Sequence, residues 1–278
     1  MRILPYIACL GLMLWLPAKA PLAGMLTKEL VGMPSVPAVI VTGASIGSGQ
    51  WPVLRRRIGL LTPHSETSSI PGYFGLGSVL VERAQGALQV FTLARAATTS
   101  YDLPNGRYDA VGDGSVPFWP SLKNQFDQGF RYSQVPTGAG LASTATHLII
   151  TLPDDCYFAV DFAVPGCVTR MIANTERAVQ AARAKGLSVI VELQNNLDDL
   201  NIEGVPGLIT TEQYLALSAA WDNAFKNREQ DKIFTINLYQ AAHVDPAVDL
   251  LDGVNHLTHA AMVRAADQML QLIYATAP

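Results

Sequence analysis

The stretch VIVTGASIGSGQ, residues 39–50, closes an apolar run and then turns into a cluster of glycines and small side chains. Its spacing satisfies three patterns at once. Thr42, Gly43, Gly47 and Gly49 fit TGxxxGxG; Gly43, Ser45 and Gly47 fit GxSxG; Gly43-Ala44-Ser45 reads as a Gly-x-Ser block. The first pattern suits glycines that bring a pyrophosphate against backbone amides at a helix N-terminus. The other two present a serine hydroxyl on a tight turn after a strand, where it can serve as a nucleophile. The rest of the chain decides between them.

Working outward, five continuous apolar runs have strand length: residues 36–41 (VPAVIV), 87–93 (ALQVFTL), 146–152 (THLIITL), 187–193 (LSVIVEL) and 232–238 (KIFTINL). Helical spacing is predicted over residues 73–85, 117–130, 168–184, 211–226 and 258–275. In the third of these, Met171, Ile172, Thr175, Ala178, Val179 and Ala182 share one face, and Gly186 stops the helix. Apolar strands that alternate with helices imply an α/β domain, a doubly wound five-stranded parallel sheet covered on both faces. In such sheets the site lies at the carboxyl ends of the strands. Residues 42–49, 94–99, 153–156, 194–199 and 239–243 are therefore expected to carry the chemistry.

The 278 residues are 49% apolar and 15% charged, which suits a well-buried core and argues against disorder. Net charge is −4, with no basic run beyond Arg55-Arg56-Arg57, so a nucleic-acid partner is not expected. At the N-terminus, Arg2, an apolar run over residues 3–16 and Ala18-Lys19-Ala20 predict a signal peptide over residues 1–24; an uncleaved anchor is the alternative. The expectation is a secreted or periplasmic protein with one domain over residues 25–278 and no stable membrane span after signal removal. Two cysteines then remain, Cys156 and Cys167. In an exported protein they read as a disulfide pair, with a thiol nucleophile as the rival.

The TGxxxGxG pattern resembles the cofactor turn of short-chain dehydrogenases. Those enzymes use a tyrosine with lysine four residues later, and no tyrosine here has that partner. Pro52 also weakens the helix that would bind the phosphates. The GxSxG pattern resembles the α/β-hydrolase elbow, which follows several earlier strands and an HGGG-like segment. Here Ser45 follows the first strand, and no such segment precedes it.

The third pattern has support at the far end of the chain. A nucleophilic serine needs a base, and the base needs an orienting acid. Of five histidines (His64, His147, His243, His256 and His259), two lie in LLDGVNHLTHAAMVRAADQML, residues 250–270. This segment resembles the C-terminal block of SGNH (GDSL) hydrolases, with one extra residue between Asp252 and His256. LARAATTSYDL, residues 93–103, resembles the second block, and LIITLPDDC, residues 148–156, the third. The resemblance runs from Val39 to the last helix. It implies a three-layer, flavodoxin-like fold and hydrolysis of a carboxylic ester of lipid or O-acyl carbohydrate type, with transfer to a sugar hydroxyl equally permitted. It implies Ser45 as nucleophile, His256 as base and Asp252 as its orienting acid. The amides of Ser45 and Ala96, with Asp154, would form the oxyanion hole. No cofactor and no metal are implied.

Three departures stand out. Ala44 replaces the Asp of GDS, Ala96 a glycine, and Asp154 the asparagine that would donate to the oxyanion. Asp154 could donate if protonated; Asn195, Asn196 or Asn255 could supply the donor instead; or the chain could be a catalytically degenerate binding protein. Simpler roles also exist: Ser45 as a turn or capping residue, Asp252 in an Asx-turn, His256 at the start of the last helix, His259 on its surface. Asn195-Asn196 and Asp198-Asp199 read as a polar loop or as contacts to polar substrate groups. Residues 105–145, rich in Gly, Pro and aromatics, are expected to cover the site.

Overall fold

The structure is a computed structural model. It describes residues 36–49, 74–95, 98–102, 120–200, 202, 205 and 207–277, together with the backbone of four two-residue strands between positions 51 and 68. The expected signal peptide, residues 1–24, and the expected oxyanion residue Ala96 lie outside the described residues.

Five strands form one parallel sheet: β1 (Ala38–Thr42), β2 (Gln89–Thr92), and, further along, β5 (Ala145–Ile150), β6 (Ser188–Glu192) and β7 (Ile233–Ile236). Between β2 and β5 a hairpin intervenes, β3 (Gln134–Thr137) with β4 (Gly140–Ser143). The order across the sheet is β7-β6-β5-β1-β2. The chain therefore leaves β1 for one neighbour, β2, and later returns on its other side as β5. This reversal opens a crevice beyond the carboxyl end of β1, where ligands bind in doubly wound sheets.

Each central strand is buried on both faces and feeds two separate cores. Val39, Val41, Ile149 and Ile190 face one way, onto helices α2 (Leu76–Ala84) and α9 (His259–Ala275). Ile40, Leu148, Ile150, Val189 and Val191 face the other way, onto α3 (Leu122–Tyr132), α5 (Cys167–Ala184) and α6 (Thr211–Phe225). This period-two division explains why the strands read as unbroken apolar runs. Trp221, Tyr214, Phe225 and Phe126 fill the second core; burying a side chain of that class contributes about 1.5–3 kcal/mol.

Helix boundaries follow local capping. Ser121 accepts from Asn124 N–H at 3.3 Å and starts α3 at Leu122, later than its pattern predicts. Thr210 and Gln213 form a reciprocal capping box at α6. Among the described residues no helix is long and apolar enough to cross a membrane.

One expectation needs correcting. Residues 133–145 do not cover the crevice. They approach β5 from its amino end, where Thr144 N–H donates to Ser133 O and Ala38 N–H to Thr144 O. Because β5 runs parallel to β1, whatever precedes it lies at the edge opposite Ser45. From this region α3 does reach the crevice: Gln125 Oε1 accepts Gly43 N–H at 2.8 Å. Residues 103–119 lie outside the described residues.

Candidate active site

The turn after β1 is shaped by crowding. Gly43 has φ +116°, and a Cβ there would lie 2.2 Å from Thr151 Oγ1 and 2.3 Å from Thr151 O. Thr151 is fixed by its N–H and hydroxyl, both donating to Thr42 O at 2.9 Å. Only glycine fits between the two strand ends. Helix α1 (Ser45–Ser48) begins at once and ends at Gly49, φ +68°, whose N–H donates to Ser45 O at 2.9 Å. Ser45 thus stands on the first position of a one-turn helix, in the crevice beyond β1.

The other partners come from the loop before α9. His256 Nε2 lies 2.9 Å from Ser45 Oγ, and His256 Nδ1 lies 2.8 Å from Asp252 Oδ2. The second Asp252 oxygen accepts the N–H groups of Val254, Asn255 and His256 at 2.9, 3.0 and 3.0 Å. Asp252 is therefore both an Asx-type loop anchor and a partner of the imidazole. The extra residue between Asp252 and His256 is absorbed by Gly253, at φ +68°. Loop ends are tied by Leu251 N–H to His256 O at 2.7 Å and by a bridge between Leu250 and Leu257. Tyr239 hydroxyl donates to Asn255 O.

Electrostatics at this pair follow from the contacts. Burial alone raises the Asp252 pKa. The hydrogen bond from His256, its charge when protonated, and the His256 and Val254 amides outweigh burial and hold it at about 2. Asp252 is thus ionised across the neutral range and favours the tautomer with a proton on Nδ1, leaving Nε2 to face Ser45 as an acceptor. His259, as expected, sits on the helix surface, 2.9 Å from Glu82. Thr258, rather than His256, caps α9.

Ser45, Asp252 and His256 open into a cavity of about 260 Å³. Asp154 lines it too, and Asp154 N–H donates to Thr98 O at 2.8 Å. The walls are mostly apolar: Leu152, Tyr157, Phe158, Leu200, Ile202, Val205 and Leu208. These wall residues flank the expected segments 153–156 and 194–199 after β5 and β6, and none of them was singled out from the sequence. The signal available was the recurrence of Leu200, Ile202, Val205 and Leu208 in a segment without helical or strand period.

Asn195 and Asn255 also line the cavity, whereas Asn196 is exposed. Asn195 is only 4% exposed, so the stretch after β6 is not simply a solvated loop. Cys156 and Cys167 form a disulfide that fixes the chain directly after Asp154-Asp155. Among the described residues no group of three His, Cys, Asp or Glu side chains is arranged to hold a metal.

No protein-family model matches the chain, and no curated protein matches its sequence. Its fold is similar to that of solved esterases. Est24, a carbohydrate acetylesterase from Sinorhizobium meliloti, aligns at 13% identity over 86% of this chain and 99% of that one, with a TM-score of 0.55. A putative arylesterase from Agrobacterium tumefaciens str. C58 aligns at 15% identity over 86% and 99%, with a TM-score of 0.56. An aryl esterase from M. smegmatis aligns at 13% identity over 86% and 99%, with a TM-score of 0.53. At these identities the likeness establishes the fold: the three-layer α/β arrangement of the SGNH hydrolases, with its five-stranded parallel sheet.

Proposed function

We propose that this chain is a serine hydrolase of carboxylic esters that works through an acyl-enzyme on Ser45. The observation that carries the reading is the continuous relay from Ser45 Oγ through His256 to Asp252, opening on an apolar cavity. In this mechanism Ser45 Oγ attacks the ester carbonyl while His256 Nε2 takes its proton. The tetrahedral oxyanion is held by the Ser45 amide and the Ala96 amide, with Asp154 beside them. Collapse expels the alcohol, which receives the proton from His256. Water, or a sugar hydroxyl, then releases the acyl group by the reverse sequence. Asp252 stabilises the imidazolium and keeps its orientation. No step calls for a cofactor.

A segment with signal-peptide character and the Cys156–Cys167 disulfide support an exported protein, secreted or periplasmic. The substrate class we assign is a small ester of lipid or O-acyl carbohydrate type.

The test is labelling by a fluorophosphonate probe together with hydrolysis of short vinyl esters, with Ser45→Ala as control. Ser45-dependent labelling and turnover are expected; absence of both would sink the hydrolase reading. A second reading, a degenerate binding protein, is favoured by one observation: a carboxylic acid, Asp154, lines the cavity where an amide donor is needed. Asp154→Asn separates the two. A large gain of turnover from a nearly inactive wild type supports degeneracy, and an active wild type excludes it.

A further inference from the structure

We infer that the cavity beside Ser45 selects an ester whose bound chain is mainly hydrocarbon but carries a hydroxyl, recognised by Asn195. The inference rests on the hydrolase reading and adds to it a specificity-determining residue and a substrate class.

The cavity is about 260 Å³, at the small end of ligand pockets, and its walls are largely apolar. Within them sits one buried amide. Asn195 is 4% exposed and lines the cavity, and its Oδ1 is shielded from solvent with no hydrogen-bond partner among the described residues. Buried polar side chains are nearly always paired, so such an atom marks a place where a partner belongs. The backbone that carries this side chain is also held in position. Tyr214 hydroxyl donates to Asn195 O at 2.6 Å, and Asn237 Nδ2 donates to the preceding carbonyl, that of Gln194, at 3.1 Å. Rigid backbone anchoring leaves the amide preorganised for a ligand rather than free to fold away.

The amide offers one acceptor and two donors, and a hydroxyl can answer either. Its place in the sheet sets the reach. Ser45 follows β1 and Asn195 follows β6, with β5 between them. Two strand spacings put the amide roughly 10 Å across the sheet from the nucleophile, within reach of a chain of about six carbons. The chain bearing the hydroxyl could be the acyl group or the alcohol, and the experiment separates them. A site that hydrogen-bonds a substrate hydroxyl also rejects the analogue that lacks it, because its own polar group is then buried unpaired.

The acyl arm compares vinyl 6-hydroxyhexanoate with vinyl hexanoate; the alcohol arm compares 6-hydroxyhexyl acetate with hexyl acetate. Acid release gives kcat/KM for each. The readout is the ratio within one protein, so a general loss of activity in a variant cancels. In the wild type we expect the hydroxylated member to lead by about tenfold in one arm, and Asn195→Leu to reverse that order. Equal or reversed ratios in both arms of the wild type, or an unchanged preference in Asn195→Leu, would overturn the inference and mean that a buried water satisfies Asn195. Should Asn195→Leu fail to fold, ligand-observed NMR on the wild type decides: hexane-1,6-diol should bind more tightly than 1-hexanol, and equal binding overturns it. The same binding comparison stands if no ester is turned over and Ser45 is not labelled. That result would defeat the hydrolase reading without deciding the Asn195 subsite.

Discussion

The Asp155 carboxylate grips Ser100 at two points: Oδ2 accepts its backbone N–H at 2.5 Å and Oδ1 its hydroxyl at 2.8 Å. Asn174 Nδ2 adds a third bond to the same hydroxyl at 3.2 Å, and Asp154 N–H donates to Thr98 O at 2.8 Å. The loop after β2 is thereby zipped to the loop after β5. In sequence, Thr98 and Ser100 closely follow Ala96, the residue proposed for the oxyanion hole.

Removing the clamp should therefore cost catalysis more than binding. Breaking buried hydrogen bonds to a charged acceptor costs roughly 1.5–3 kcal/mol. For Asp155→Ala we expect kcat to fall by about 10–100-fold with KM changed only a few-fold, and Asp155→Asn to recover part of the loss. Steady-state kinetics beside a thermal melt checks this. A fall in melting temperature with kcat intact would assign Asp155 a purely structural role.

Asp252→Asn tests the orientation of His256. The amide oxygen can still accept the backbone N–H groups of Val254, Asn255 and His256, so the loop should fold. The Nδ1 partner changes from an ionised acceptor to an amide, which disfavours the tautomer needed at Nε2. We expect kcat to drop by roughly 10⁴-fold, with far-ultraviolet circular dichroism unchanged. Activity within a few-fold of wild type would remove Asp252 from the relay.

Glu192 sets an alkaline slope on stability. It is fully buried at the end of β6, with Oε2 accepting Leu152 N–H at 3.0 Å and Oε1 without a partner among the described residues. Burial pushes its pKa up to about 8, with the Leu152 amide pulling the other way. The folded state thus keeps a proton that the unfolded chain loses near the ordinary value of 4.5. Stability from this group is complete below pH 4.5 and declines as pH rises through 8. Glu192→Gln keeps an acceptor for Leu152 and cannot ionise. Denaturant midpoints across that range should flatten in the variant and exceed wild type at pH 8.

His147 acts on the opposite limb. It is buried at the amino edge of the sheet, between Thr146 Oγ1 at 2.9 Å and Thr276 Oγ1 at 3.0 Å. Burial lowers its pKa to about 4, against a smaller upward pull from Thr276. Here the unfolded chain binds the extra proton, so stability is full above pH 6.5 and is lost as pH falls towards 4. His147→Gln should flatten the acid limb of the same midpoint curve. An unaltered limb would place the acid sensitivity elsewhere.

The Cys156–Cys167 disulfide closes a loop with a sequence separation of 11 residues. Loop-closure entropy for a ring of that size corresponds to about 3 kcal/mol. Adding reductant, or replacing both cysteines by serine, should lower the denaturant midpoint by a corresponding amount. No change between the two redox states would mean the crosslink does not constrain the unfolded chain.

Much of the fold was legible because two physical signals coincide. Runs such as THLIITL must be apolar on both faces in a doubly wound sheet, and a helix such as Cys167–Ala184 shows its buried stripe directly. Ser45 was legible as a candidate because it follows the first apolar strand, and the Asp252–His256 block because it resembles the C-terminal block of SGNH hydrolases. The pocket was not legible. Its walls come from irregular chain around Leu200, Ile202, Val205 and Leu208, where no periodicity reports which side chains turn inward. Asn195 reads as one polar residue among several, and only the surrounding packing distinguishes it from the exposed Asn196. The direction of the β3–β4 hairpin was missed for another reason: composition rich in Gly and aromatics says nothing about which edge of the sheet a connection visits.

The spacing of Gly43, Gly47 and Gly49 mimics a nucleotide fingerprint, yet each position has a steric reason of its own. Gly43 yields to Thr151, Gly47 to Ala94 and Thr151, and Gly49 to the backbone of Gly75. Each absent side chain is a vacancy that another part of the protein already fills. Such a signature measures how tightly a chain is threaded past itself at a strand end. A phosphate is one tenant that tight threading can serve, and a short helix presenting a serine is another.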